Sequence, residues 1–129
     1  MLRLDKAQLG TLEDLHMQAY ARRVCAFLRD NFSDAAEVPA LELEAQVMEQ
    51  ITRANRYGLC NEDQILIYVV TAWLLGDRFD EQLPAARLVL NDTDYSPEEK
   101  SEWLEDWTVM IFHRLSPHAE LPTLKLGSR

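Results

Sequence analysis

Glycine is scarce in this chain and never clustered: Gly10, Gly58, Gly76 and Gly127 each stand alone. A loop that cradles phosphate needs several glycines close together, so nucleotide-binding loops of that kind are excluded. Cysteine is scarcer still. Cys25 and Cys60 lie far apart, without a CxxC pair or histidine companions, which gives neither a disulfide framework nor a zinc site and points to two reduced, partly buried thiols. The three histidines, His16, His113 and His118, show no helical ligand spacing, and neither HExxH nor a repeated Glu-x-x-His pair occurs. Zinc-hydrolase and di-iron chemistry therefore lack their ligands. His16 falls near the apolar stripe of a helix and reads as a packed or half-buried side chain rather than a base. GxSxG and Ser-x-x-Lys are absent, and Cys60 has no activating neighbour in sequence, so no nucleophile presents itself. No metal, no cofactor and no enzymatic activity are expected.

Basic charge is also in short supply, with 13 Lys plus Arg against 22 Asp plus Glu and a formal charge of -9. A surface of that sign repels a phosphate backbone and an anionic membrane leaflet and attracts a partner with a basic face. Neither nucleic acid nor membrane is expected as a partner. The longest apolar run, Ile65 to Leu75, is about half of the ~20 residues a bilayer-spanning helix needs. It reads as a core helix. Asp5 interrupts the N-terminus where a secretory signal keeps its apolar stretch, and no small-residue cleavage site follows, so a cytoplasmic location is expected.

What is present is helical. The 129 residues, 47% of them hydrophobic, suffice for one packed core. A capping-box pattern, Asp5 with Gln8, opens a helix to about Asn31, with Leu9, Leu12, Met17, Tyr20, Val24, Phe27 and Leu28 as its stripe; Gly10 and Thr11 place the start of its regular part near Leu12. Residues 33–38 read as a connection. A second helix is expected from Pro39 to Tyr57, burying Leu43, Val47, Ile51 and Ala54 with help from Leu41 and Met48, and ended by Gly58 with Leu59 folding back. Asn61 caps a third, with Glu62 and Asp63 favourably placed at its N-terminus. That helix is apolar on nearly every side, as the centre of a bundle must be.

After Gly76 and a loop over Asp77 to Asp80 comes a short helix, Pro84 to Leu90. The clearest local signal follows: Ser96, Pro97 and Glu99 stand as N-cap, first-turn proline and capping-box glutamate. The helix they open, to about Leu115, turns Trp103, Leu104, Trp107, Met110, Ile111 and Leu115 to one side, with Lys100, Glu102, Asp106 and His113 elsewhere. No strand pattern or repeat is found. The expected fold is thus all-α, a single-domain bundle of four main helices and one short one over residues 1–115, with an irregular C-terminal tail, 116–129, that is either a strap or disordered.

Two further patterns invite a functional reading. Asp92, Asp94 and Ser96 resemble alternating calcium ligands, but Pro97 stands where the loop needs Gly and Trp103 where it needs Glu; a helix-capping turn explains them better. The pairs Asp77 with Asp80 and Glu98 with Glu99 read as solvated caps and loop residues rather than acid/base machinery. Trp73, Trp103 and Trp107 suit binding anchors by type, yet their helical spacing assigns at least two of them to the core.

Five runs carry a resemblance. They are Arg53-Ala54-Asn55-Arg56-Tyr57-Gly58-Leu59; Glu62-Asp63-Gln64-Ile65 with Tyr68; Leu74-Leu75-Gly76-Asp77-Arg78-Phe79-Asp80; Pro84-Ala85-Ala86; and Ser96-Pro97-Glu98-Glu99-Lys100. Together, over about residues 50–105, they resemble small helical proteins encoded in bacterial type VI secretion effector clusters, beside spike proteins and toxin-loading adaptor chaperones. The resemblance implies an accessory factor, a co-adaptor that binds an effector adaptor chaperone and assists loading or release of the toxin. Contact is expected around Phe79 and Asp80 and along the last helix near Trp103 and Trp107. The alternative is an immunity protein that binds a toxin domain directly, for which an acidic surface is equally suited.

Overall fold

The computed structural model describes residues 6–118 and 121–124, with side chains from His16 onward. Seven α-helices and no strand are found among the described residues: α1 (Lys6–Asn31), α2 (Ser33–Ala36), α3 (Ala40–Arg56), α4 (Glu62–Leu75), α5 (Phe79–Gln82), α6 (Pro84–Leu90) and α7 (Pro97–Leu115). The all-α class and the four long helices with a short α6 are as the sequence suggests. Two single-turn helices are additional. Residues 33–36 curl after Phe32, and residues 79–82 curl after Arg78, neither with a side-chain cap; such short turns carry no periodicity to read. Helix α1 runs unbroken through Gly10 and Thr11, so its regular part starts earlier than Leu12. The Asp5 and Gln8 capping box and the Leu9 and Leu12 side chains lie outside the described residues.

The chain divides into two compact units, Met1–Met48 and Glu49–Arg129. In the first, Tyr20, Ala21, Val24, Cys25 and Leu28 form the buried stripe of α1, and Ala35, Leu43 and Val47 are buried with them. The stripe advances by three and four residues, the spacing that puts side chains on one helical face. Arg29 donates from Nη2 to the Val38 carbonyl at 2.7 Å, tying the end of α1 to the turn before α3. Cys25 is pushed up by burial and by the nearby Glu44 carboxylate, so its thiol stays protonated.

The second unit is centred on α4, buried without a break from Gln64 to Ala72. Asn61 caps it, its Oδ1 accepting from the Gln64 N–H at 2.9 Å. Helix α7 crosses α4, and at the crossing the Thr71 hydroxyl donates to the Ile67 carbonyl at 2.7 Å while Thr108 Oγ1 lies 2.8 Å from Thr71 Oγ1. The capping box of α7 is complete: the Glu99 N–H donates to Ser96 Oγ at 3.1 Å, and the Ser96 N–H donates to Glu99 Oε1 at 3.0 Å. Gly58, at φ +86°, closes α3 in a conformation that suits glycine, and a Cβ there would stand 3.3 Å from Pro97 Cγ. The end of α3 and the start of α7 are thereby held close.

The buried stripe of α7 differs from expectation. Lys100, Ser101, Leu104 and Thr108 are its buried residues, whereas Met110 is 43% and Leu115 71% exposed. Lys100 is interior because its Nζ donates to the Tyr57 carbonyl at 3.3 Å, satisfying an orphan acceptor at the C-terminus of α3 while its aliphatic stem is covered. Beyond α7, Leu124 is buried. With Leu121, Pro122 and Thr123 it walls a cleft of about 400 Å³ against Glu105, Val109 and His113. These four tail residues form a strap on that flank of α7.

Candidate partner-binding site

Phe79 and Asp80 open the single-turn helix α5, and both are interior, 0% and 2% exposed. Contrary to their expected place in a partner contact, neither side chain reaches the surface. The physical reason is a polar cluster with an aromatic floor. Arg53 on α3 donates from Nη2 to both Asp80 carboxylate oxygens, at 2.8 and 3.0 Å. Tyr57, four residues on and just past the end of α3, donates its hydroxyl to Asp80 Oδ2 at 2.6 Å. Phe79 packs against Tyr68 of α4 with ring centroids 4.9 Å apart, and Tyr57 lies 6.0 Å from Tyr68. Asp80 is thus a buried carboxylate made tolerable by a guanidinium and a phenol.

The cluster shifts its own protonation equilibria. Burial, then the hydrogen bond to Asp80, pushes the Tyr57 hydroxyl well above the ordinary tyrosine range. Tyr68 is pushed up by burial and by the Asp80 charge. Arg53 loses hydration, which lowers its affinity for the proton, but the nearby Tyr68 hydroxyl and the Asp80 carboxylate to which it donates outweigh this and hold it cationic. Glu81 adds a second carboxylate 3.5 Å from Arg53 Nη2. Three buried atoms of this region have no hydrogen-bond partner of good geometry: Gln50 Oε1, Arg53 Nε and Tyr68 Oη. Gln50 is nonetheless held by its Nε2, which donates to the Asp77 carbonyl at 3.3 Å. Chemically the cluster is a clasp that fixes α5 on α3 and α4.

The surface candidates are Trp103 and Trp107. Both are half-buried, and their rings stack with centroids 5.1 Å apart and planes 19° from parallel. Their i, i+4 spacing on α7 places the two indoles on one face, and Met110 continues that face at i+7. The acidic residues Glu98, Glu99, Glu102 and Asp106 are all exposed around them. Trp73 is half-buried on α4.

The other residues singled out in the sequence take structural places. His16, His113 and His118 are exposed, so the expected packing of His16 is not found. Cys25 is buried and Cys60 exposed. Asp92 accepts from the Asp94 N–H at 2.9 Å, a turn leading to the Ser96 cap. Among the described residues no three His, Cys, Asp or Glu side chains are gathered so as to hold a metal ion, and no helix is long and apolar enough to cross a membrane.

Sequence reasoning missed Arg53, Tyr57 and Tyr68 as a unit with Asp80. All four stand in the runs that carry the resemblance, yet Arg53 and Asp80 are separated by 27 positions, and no local pattern pairs them. Comparison with protein-family models, with curated proteins and with solved structures gives no significant match.

Proposed function

We propose that this chain is a non-catalytic accessory factor that binds another protein, and that it acts as a co-adaptor for a type VI secretion effector adaptor chaperone, assisting the loading or release of a toxin. The observation that carries the binding part is the stacked Trp103 and Trp107 pair, half-buried on α7 among acidic side chains. Tryptophan offers a large contact area at small entropic cost and is enriched where interface energy concentrates. The co-adaptor part rests on the resemblance over residues 50–105. In this reading the Arg53, Tyr57 and Asp80 clasp acts from beneath by holding the fold.

The test is co-expression of the tagged chain with a type VI effector adaptor chaperone, of the kind encoded beside the proteins it resembles, followed by co-purification. Stoichiometric recovery of the adaptor, reduced at least tenfold by Trp103→Ala with Trp107→Ala, supports the reading. Recovery of a toxin domain without the adaptor, together with protection of cells from that toxin, makes the chain an immunity protein instead. The formal charge of -9 gives that second reading its own footing, because it suits a basic toxin surface.

A further inference from the structure

The charge pattern around the tryptophan pair narrows the chemistry of what it meets. From Glu98 to Asp106 every exposed charged side chain of α7 is acidic, and the one lysine of that stretch, Lys100, is buried and committed to the Tyr57 carbonyl. Glu99 precedes Trp103 by one turn, and Asp106 follows it by three residues, so carboxylates border the stacked indoles on the same side of the helix. An indole face attracts a cation through its quadrupole, and a neighbouring carboxylate strengthens the attraction. The face from Glu99 to Met110 spans about 16 Å along the helix, which is three turns.

From these observations we infer that the Trp103, Trp107 and Met110 face of α7 is a docking surface for a basic amphipathic helix of a protein partner. An aliphatic anchor of that helix lies against the indoles and Met110, while arginine or lysine side chains one turn to either side meet Glu99, Glu102 and Asp106. A second copy of this chain is a poor occupant, since it would bring the same three carboxylates against their equals. A phospholipid surface is opposed by the same charges. The inference deepens the protein-binding reading above and rests on it.

The test uses the full-length chain and a synthetic amphipathic peptide of leucine and arginine, about four helical turns or ~15 residues long. Tryptophan fluorescence and calorimetry follow the binding. A scrambled peptide of identical composition and a leucine and glutamate counterpart serve as controls. The expected result is saturable binding of the leucine and arginine peptide alone, weakened at least tenfold by Trp103→Ala with Trp107→Ala. Glu102→Lys with Asp106→Lys should weaken it as much; these exposed positions leave the packing intact, as circular dichroism would verify. Equal binding of the scrambled peptide, indifference to either variant, or binding to phosphatidylcholine vesicles at the same face overturns the proposal. A dimer in sedimentation that dissociates on Trp103→Ala overturns it too. Recovery of the adaptor in cells with no effect of these variants removes the docking surface but keeps the protein-binding reading, whereas peptide docking without adaptor recovery keeps the docking surface and removes the co-adaptor reading.

Discussion

Two polar spots lie inside the second unit, and they are built differently. At the crossing of α4 and α7, Thr71 and Thr108 answer each other: Thr71 gives its single proton to the Ile67 carbonyl, so Thr108 must be the donor in the 2.8 Å contact between the hydroxyls. Nothing charged is involved. At α5, by contrast, a full carboxylate is buried against a guanidinium and a phenol, while Gln50 Oε1, Arg53 Nε and Tyr68 Oη stand without partners nearby. The first arrangement fixes the register of two long helices at small electrostatic cost. The second holds a single turn that has little apolar area of its own, and does so with the strong and demanding interactions of buried charge. Their difference separates a contact that refines the fold from one on which a segment depends.

Asp80→Ala should have the largest effect. It leaves Arg53 largely buried with only Glu81 to pair with, and losing one partner of a buried ion pair typically destabilises by about 3 kcal/mol or more. Urea unfolding followed by circular dichroism should show a loss of that order. A loss under about 1 kcal/mol would put the Arg53 and Asp80 pair in the class of surface salt bridges and remove the clasp as the support of α5.

This is also where the sequence stops being legible. The helices of local origin could be read directly: Asn61 as the cap of α4, the Ser96, Pro97 and Glu99 box of α7 and the closing Gly58 all act within one turn. The two single-turn helices could not, because four residues hold no period. The candidate site is legible only in part. Type and spacing single out Trp103 and Trp107, which share one half-buried face of α7, but Phe79 and Asp80 read as surface residues because a Gly76-Asp77-Arg78 turn resembles a solvated loop. Only the partner 27 positions away, Arg53, explains why an aspartate goes inside. Lys100 shows the same limit, since its burial depends on the Tyr57 carbonyl in the turn that follows α3.

Tyr57→Phe should have the next largest effect, because it removes a 2.6 Å hydrogen bond to a charged acceptor while keeping the ring. A loss of about 1.5–2 kcal/mol is expected. The same clasp sets an alkaline limit. Burial and Asp80 raise the Tyr57 hydroxyl above its ordinary value of 10.0, so the folded chain holds that proton more tightly than the unfolded one. The stability so gained is complete below about pH 10 and is lost as pH rises through the folded value. Urea midpoints should therefore fall above pH 10, and less so in Tyr57→Phe. Parallel pH profiles for the two proteins would show that Tyr57 contributes nothing to the limit.

At the threonine pair the expected effects are smaller and non-additive. Thr108→Val removes one donor from a neutral pair, and about 1 kcal/mol is expected. Thr71→Val with Thr108→Val removes both partners at matching shape, so the double variant should lose less than the sum of the two single losses. A cycle that is strictly additive would mean the 2.8 Å contact couples nothing.

Tyr68→Phe, finally, should have the smallest effect, and it separates the two spots most cleanly. The Tyr68 hydroxyl is fully buried and has no hydrogen-bond partner of good geometry, while its ring packs between Tyr57 and Phe79. Removing the oxygen keeps the packing and relieves the burial of an unpaired polar group, so stability should stay within about 1 kcal/mol of the parent or rise. Tyr57 and Tyr68 thus share a cluster, a residue type and an upward shift of the hydroxyl pKa, yet the same substitution should destabilise at one and not at the other. If Tyr68→Phe instead loses as much as Tyr57→Phe, the hydroxyl is engaged in solution, as a buried polar group bridged by water would be. The α5 spot would then be as fully satisfied as the threonine pair, and what distinguishes the two would reduce to the charge of Asp80.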